Sequence, residues 1–199
     1  MNEIQTQTIY FARPGPENTD RTLALAYARA QALNLNTALV ATTSGAIGAR
    51  AVERLSGMNV IAVTHSTGFH APDTQELTAE NRAAIETGGG HILTCQHALG
   101  GVNRAVRKKL NTYQLDEIVA YTLRIFGQGI KVVAEMALMA ADAGLVRTDT
   151  PVMCIAGSGR GADTAAVLLP TNAQTFFDLK IVEIVCRPSP EHPAWAERT

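Results

Sequence analysis

The chain has 199 residues, a formal net charge of -1 and an apolar share of 46%. That is enough chain for one well-cored domain, and residues 1–199 are expected to form a single one. The balanced charge offers no basic footprint for nucleic acid or an anionic membrane, and no apolar run is long enough to span a bilayer.

The opening stretch Met1 to Thr8 is polar and does not read as a signal peptide, so a cytoplasmic location is expected. Thr8 to Phe11 reads as a short edge strand, broken by Arg13-Pro14-Gly15-Pro16. Asn18 or Thr19 can cap a helix running to about Asn34, whose apolar face is Leu23, Ala26, Tyr27 and Ala30. Thr37 to Ala41 is a buried strand, Ile47 to Leu55 a helix stopped by Gly57, and Asn59 to Thr64 the next buried strand. Strand, helix and strand at this spacing form a βαβ unit and predict a parallel sheet.

A polar loop, His65 to Pro72, follows. Thr78 caps a helix to about Thr87, Gly88-Gly89-Gly90 ends it, and His91 to Thr94 is a third strand. Two or three helices are expected between about Gly101 and Leu145, punctuated by Gly127 and Gly129 and closed by Gly144. Val152 to Ala156 is a fourth strand. Thr164 to Leu169 and Ile181 to Cys186 are also β-like, and the first of these follows Ala156 too closely for a crossover helix. The predicted architecture is therefore α/β, a three-layer α/β/α arrangement on a mostly parallel sheet with an antiparallel edge. The proline-bearing tail from Pro188 reads as an extended wrap.

Two polar turns carry the functional signal. Thr43, Ser44 and Gly45 follow the strand at Ala38 to Ala41 and lead into a helix N-terminus. Free N–H groups and the helix dipole favour an anion there, although Ser44 can equally serve as the helix cap. Gly157, Ser158, Gly159, Arg160, Gly161, Asp163 and Thr164 follow the strand at Val152 to Ala156. Small residues permit close backbone approach, and Arg160 has the forked donors that suit a phosphate. Together the turns point to a phosphorylated small molecule as partner.

Other readings are weaker. Gly157, Gly159 and Ala162 fit the dinucleotide spacing, but Pro170 comes too soon for the long helix that fingerprint needs. The first turn lacks the Lys of a P-loop. Ser44 has no nucleophile elbow around it. Cys154 and Cys186 lie in apolar runs and read as buried thiols. Cys95, His97 and His91 lie close together but form no recognised metal spacing, so no metal is expected. Arg104, Arg107, Lys108 and Lys109 read as a solvated helix face.

The segment Ile130 to Ala143 is apolar almost all round, which marks a buried helix, yet it carries Lys131, Glu135 and Asp142. Lys131 and Glu135 are one turn apart and can pair, while Asp142 can orient a loop. Alternatively, Glu135 or Asp142 lies beside a polar ligand.

The order of the first turn, the strand at Asn59 to Thr64, the long helical stretch and the segment Val152 to Thr164 resembles the C-terminal domain of pyruvate kinase. It is more similar still to a family of small stand-alone archaeal and bacterial proteins sharing that domain. The likeness extends over Tyr10 to Thr19, Thr67-Gly68-Phe69, Phe126 to Gly129, Met139 to Asp142 and Ser158 to Thr164. The resemblance implies the three-layer fold and an association with flavin mononucleotide (FMN). On that footing Thr43, Ser44, Gly45 or Ser158, Gly159, Arg160 would hold phosphate. Thr64, Thr67 and Asp163 would meet ribityl hydroxyls, and Phe69 would lie near the ring. Nothing here corresponds to pyruvate kinase's catalytic barrel, so kinase activity is not expected. A flavin-dependent redox role is the leading expectation. A regulatory domain sensing a phosphorylated metabolite is one alternative, and a small hydrolase or lyase using Glu135, Asp142 or His65 is another. A homo-oligomer is compatible with either.

Overall fold

A computed structural model describes residues 3–189. Its centre is a seven-stranded sheet with strand order β1-β7-β6-β5-β2-β3-β4. In chain order the strands are β1 (Ile9–Phe11), β2 (Thr37–Ala41), β3 (Asn59–Val63), β4 (His91–Leu93), β5 (Val152–Ala156), β6 (Thr164–Leu169) and β7 (Lys180–Pro188). The helices are α1 (Thr19–Ala32), α2 (Ala46–Arg54), α3 (Ala79–Thr87), α4 (Val102–Leu110), α5 (Leu115–Arg124) and α6 (Gln128–Asp142). The α/β architecture, the mostly parallel sheet and the three helices between β4 and β5 agree with the sequence reading. The extended wrap expected from Pro188 falls, beyond Ser189, outside the described residues.

Side chains alternate cleanly across the central strands. Ala38, Val40, Met153, Ile155, Ala165 and Val167 join α1 and α2 in one core. Leu39, Cys154, Ala156, Ala166 and Leu168 point to the other face and pack against α6. Strands covered on both faces read as continuous apolar runs, which is why β2, β3 and β5 were legible in the sequence. The helix α6 packs against the sheet with α5 outside it, so it is enclosed on nearly every side.

The strand β6 is antiparallel to β5 and to β7, while β1 adds in parallel to β7. The antiparallel part of the sheet thus lies toward its β1 end. On the other side the chain runs from β2 to β3 to β4, all parallel, then crosses back through α4–α6 to place β5 on the opposite flank of β2. Strand order therefore reverses between β2 and β5. In open α/β sheets such a reversal leaves a crevice at the strands' carboxyl ends, because the two following loops run apart.

Candidate functional site

A cleft of about 710 Å³ lies at this reversal, within the ordinary range for small-ligand sites. Its lining includes Thr43 and Ser44 after β2, Thr64 after β3, and Gly157 to Gly161 after β5. The two polar turns, more than a hundred residues apart in sequence, face one space.

The first turn begins α2. Gly45 occupies the N-cap position at φ 94°, a left-handed backbone that glycine adopts without strain. Ser44, one of whose two possible roles was the helix cap, does not cap α2. Thr42 accepts the Gly48 N–H on its Oγ1 at 3.3 Å instead, reaching across from the end of β2. The Ser44 carbonyl accepts from Thr78 N and Asn81 Nδ2, which anchors the turn to α3. The Thr43 and Ser44 side chains are left exposed beside the first amides of α2, which have no carbonyl within their own helix.

The second turn is held from behind. Asp163 has no exposed surface. It accepts from Ser158 N (3.2 Å), Ser158 Oγ (3.2 Å), Thr164 Oγ1 (2.9 Å) and Gly15 N (3.3 Å). Thr19 Oγ1 accepts from Ala162 N, and a Cβ on Gly161 would sit 2.4 Å from Pro16 Cα. The Arg13 to Thr19 segment is therefore the buttress of this turn. Gly159 and Arg160 project at the exposed tip, and Arg160 makes no hydrogen bond or ion pair with the described residues.

The opposite wall comes from the β3–α3 loop and from α4–α6. The Phe69 ring stacks on His65 at 4.0 Å and on His97 at 4.9 Å, with the Arg104 guanidinium 5.0 Å from its centroid. His65 Nδ1 lies 2.7 Å from Glu76 Oε2. Arg124, Gln128 and Lys131 line the same wall, with Val132, Met136 and Met139 as its apolar part. Lys131 and Glu135, both buried, form the ion pair that their spacing predicts, and Glu135 also accepts from Leu99 N at 3.0 Å. His97 Nδ1 is 3.8 Å from the same carboxylate. Burial pushes the Lys131 ammonium below its ordinary value, against the pull of Glu135. It pushes the His97 imidazole down in the same way. Among the described residues four cationic side chains, Arg104, Arg124, Lys131 and Arg160, thus border the cleft, against Glu135 as the one lining carboxylate. An anionic guest suits that imbalance.

Of the residues singled out in the sequence, Thr43, Ser44, Thr64, Phe69, Gly157, Ser158, Gly159, Arg160 and Gly161 line the cleft. Gly45 sits beneath the first turn, and Thr67 and Gly68 lie on the exposed loop that carries Phe69. Thr64 has its hydroxyl engaged with Thr94 Oγ1 and the His65 carbonyl. Asp163 and Thr164 do not reach the cleft, because their polar atoms are turned into the loop's own network. Thr164 also abuts α6, where a Cβ on Gly129 would come within 2.0 Å of its hydroxyl. Asp142 lies elsewhere, accepting from Asn172 Nδ2 and Ala173 N, so it orients a loop. Arg104 belongs to the cleft wall rather than to a solvated face, and Arg107 pairs with Glu117. Sequence reading missed Arg104, Arg124 and Gln128 as cleft residues. Their one available signal was position: α4–α6 must cross back over the sheet and end above β5.

Fold and cleft together define an α/β domain with a crevice at its topological switch point. The family model described as "Pyruvate kinase, alpha/beta domain" matches residues 20–168, from α1 through β6. The chain belongs to that family. Among the described residues no helix is long and apolar enough to cross a membrane.

Proposed function

We propose that this protein binds a phosphorylated small molecule in the cleft, and that the guest is FMN. The observation that carries this reading is the convergence of unspent phosphate donors on one space. The hydroxyls of Thr43 and Ser44, the first amides of α2 and the Arg160 guanidinium, which has no partner among the described residues, all border it. A helix N-terminus with flanking hydroxyls and an arginine is a strong setting for a phosphate. The remaining wall suits a flat, partly apolar ring: the packed cluster of Phe69, His65 and His97 gives an aromatic border, and Val132, Met136 and Met139 give apolar area. Lys131, with only one of its three ammonium hydrogens committed to Glu135, supplies a donor for a ring carbonyl. Bound flavin would supply one- or two-electron transfer.

The acid/base alternative is less well served. Glu135 spends one oxygen on Leu99 N and the other on Lys131, and Asp142 is outside the cleft. His65 does line the cleft, with its Nδ1 2.7 Å from Glu76 Oε2, so it is the one residue of that reading placed to meet a guest's proton without giving up an ion pair to Lys131.

The test is a titration of the full chain with FMN, riboflavin and inorganic phosphate, read by flavin fluorescence and by thermal shift. The proposal expects FMN to bind at least tenfold more tightly than riboflavin, since the phosphate carries much of the contact. Equal affinities would remove the phosphate assignment. No binding of FMN, with stabilisation by another phosphorylated metabolite, would leave the pocket and remove the flavin.

A further inference from the structure

The cleft carries more positive charge than one phosphate uses. The donors assigned above to the phosphate, Thr43, Ser44, the first amides of α2 and Arg160, all come from the two turns. Arg104 of α4 and Arg124 of α5 stand on the opposite wall, with Gln128 at the start of α6. Arg107, one turn along α4, is spent on Glu117, but among the described residues Arg104 and Arg124 form no ion pair. Arg104 rests on the Phe69 ring at 5.0 Å and Arg124 on the Tyr121 ring at 5.1 Å. Such a contact draws on the cation's charge and supplies no hydrogen-bond acceptor to its N–H groups.

The donors on this wall have no matching acceptors. Arg124 donates Nε to Gln128 Oε1 at 2.7 Å, which leaves both of its Nη atoms and the Gln128 NH2 uncommitted. Arg104 keeps every N–H. The one lining carboxylate, Glu135, is already taken by Lys131 and Leu99 N. Lys131 also reports how close the cations are. Burial holds its ammonium below the ordinary value, and Arg124 and Arg104 push it the same way. Three positive charges therefore repel one another across a half-buried wall, where water screens them less than on an open surface. A group of donors without acceptors is complementary to a ligand that only accepts, and the planar guanidinium fork matches a planar carboxylate.

We infer that the α4–α6 wall is a second anion site, which holds a small carboxylic acid as its carboxylate at Arg104 and Arg124 while the two turns hold the phosphate. The inference rests on the proposed function only in giving the phosphate to the turns. FMN carries its charge on that phosphate and presents an uncharged ring to this wall, so it leaves the two arginines for another molecule. The cleft is then a site for two ligands, the second of them acidic.

Calorimetric titration of the full chain with malonate tests this, with malonamide as the uncharged control of the same shape. Malonate should bind at least about tenfold more tightly than malonamide, the gain from one charge-assisted contact. Arg104→Gln and Arg124→Gln, on different helices, should each weaken malonate by about tenfold. Arg124→Gln should weaken malonate more than FMN, and Arg160→Ala should weaken FMN more than malonate. Chain saturated with FMN should still bind malonate. Malonate that binds no better than malonamide overturns the inference, and so do arginine variants that bind it as well as the wild type. Expulsion of malonate by saturating FMN, or an Arg160→Ala variant that loses malonate as fully as Arg124→Gln does, would mean a single anion site and also overturns it. Malonate binding that depends on Arg104 and Arg124 but not on Arg160, in a chain that fails to bind FMN, supports this site and removes the flavin alone.

Discussion

The two polar turns look alike in sequence and are built in opposite ways. Both follow a buried strand, both are rich in small and hydroxylated residues, and both end at the same cleft. The first is anchored by backbone: Gly45 starts the helix, Thr42 caps it, and the Ser44 carbonyl is tied to α3, leaving the Thr43 and Ser44 side chains outward. The second is anchored by side chain: Asp163 gathers Ser158, Thr164 and Gly15, and Thr19 takes Ala162 N. One turn leaves its hydroxyls exposed at the cleft, and the other spends its hydroxyls on its own shape. A count of Ser, Thr and Gly cannot separate these cases, because the difference is in which groups already have partners.

Asp163→Ala should show the largest effect. It leaves the part-buried Ser158 and Gly15 amides without their acceptor, so a loss of about 2 kcal/mol is expected. Urea denaturation measures it, and the same variant should bind FMN poorly because the turn that presents Arg160 is no longer held. A variant as stable as the wild type would mean that water replaces Asp163 and that the second turn is as open as the first.

The contrast also explains what could be read before the structure. The strands β2, β3 and β5 were legible because doubly covered strands leave unbroken apolar runs, and the βα order implied that both turns open at one sheet edge. The Lys131–Glu135 pair was legible from helix spacing within an otherwise apolar segment. Asp163 was not, because its role depends on Gly15, 148 residues away, and a carboxylate in a ligand-like turn reads first as a ligand group. Of the two roles open to Ser44, the cap fell to Thr42, which lies at the preceding strand end, outside the usual capping position. Arg104 and Arg124 were invisible as cleft residues because their helices are individually polar or amphipathic, and only the crossover path aims them at the site.

The next largest effect is expected on binding alone. Arg160→Ala should weaken FMN about tenfold, the loss of one charge-assisted contact to phosphate, with the unfolding midpoint unchanged because Arg160 has no partner in the described residues. Ser44→Ala and Ser158→Ala then set the two turns directly against each other. Ser44→Ala should weaken FMN several-fold and leave stability alone. Ser158→Ala should cost about 1 kcal/mol of stability through the lost bond to Asp163 and change FMN affinity less. If the two serines behave alike in both assays, the distinction between an open and a self-held turn fails.

The smallest effect concerns the wall that faces both turns. Burial holds His97 below its ordinary value of 6.5, with Glu135 pulling the other way and His65, Lys131 and Arg104 adding to the downward push. As pH falls below about 6.5, the unfolded chain takes up a proton at this position before the folded chain does. The unfolded state then binds more protons, so acid weakens the fold at this site, and the loss grows until the pH reaches the lowered folded value. His97→Asn removes that contribution. Between pH 7 and pH 5 the variant should therefore lose less stability than the wild type, measured as the change in urea midpoint for each protein. Equal losses would show that His97 accepts its proton as readily folded as unfolded. That outcome would mean that Glu135, although 3.8 Å away and already paired with Lys131, offsets the cost of burying the imidazolium.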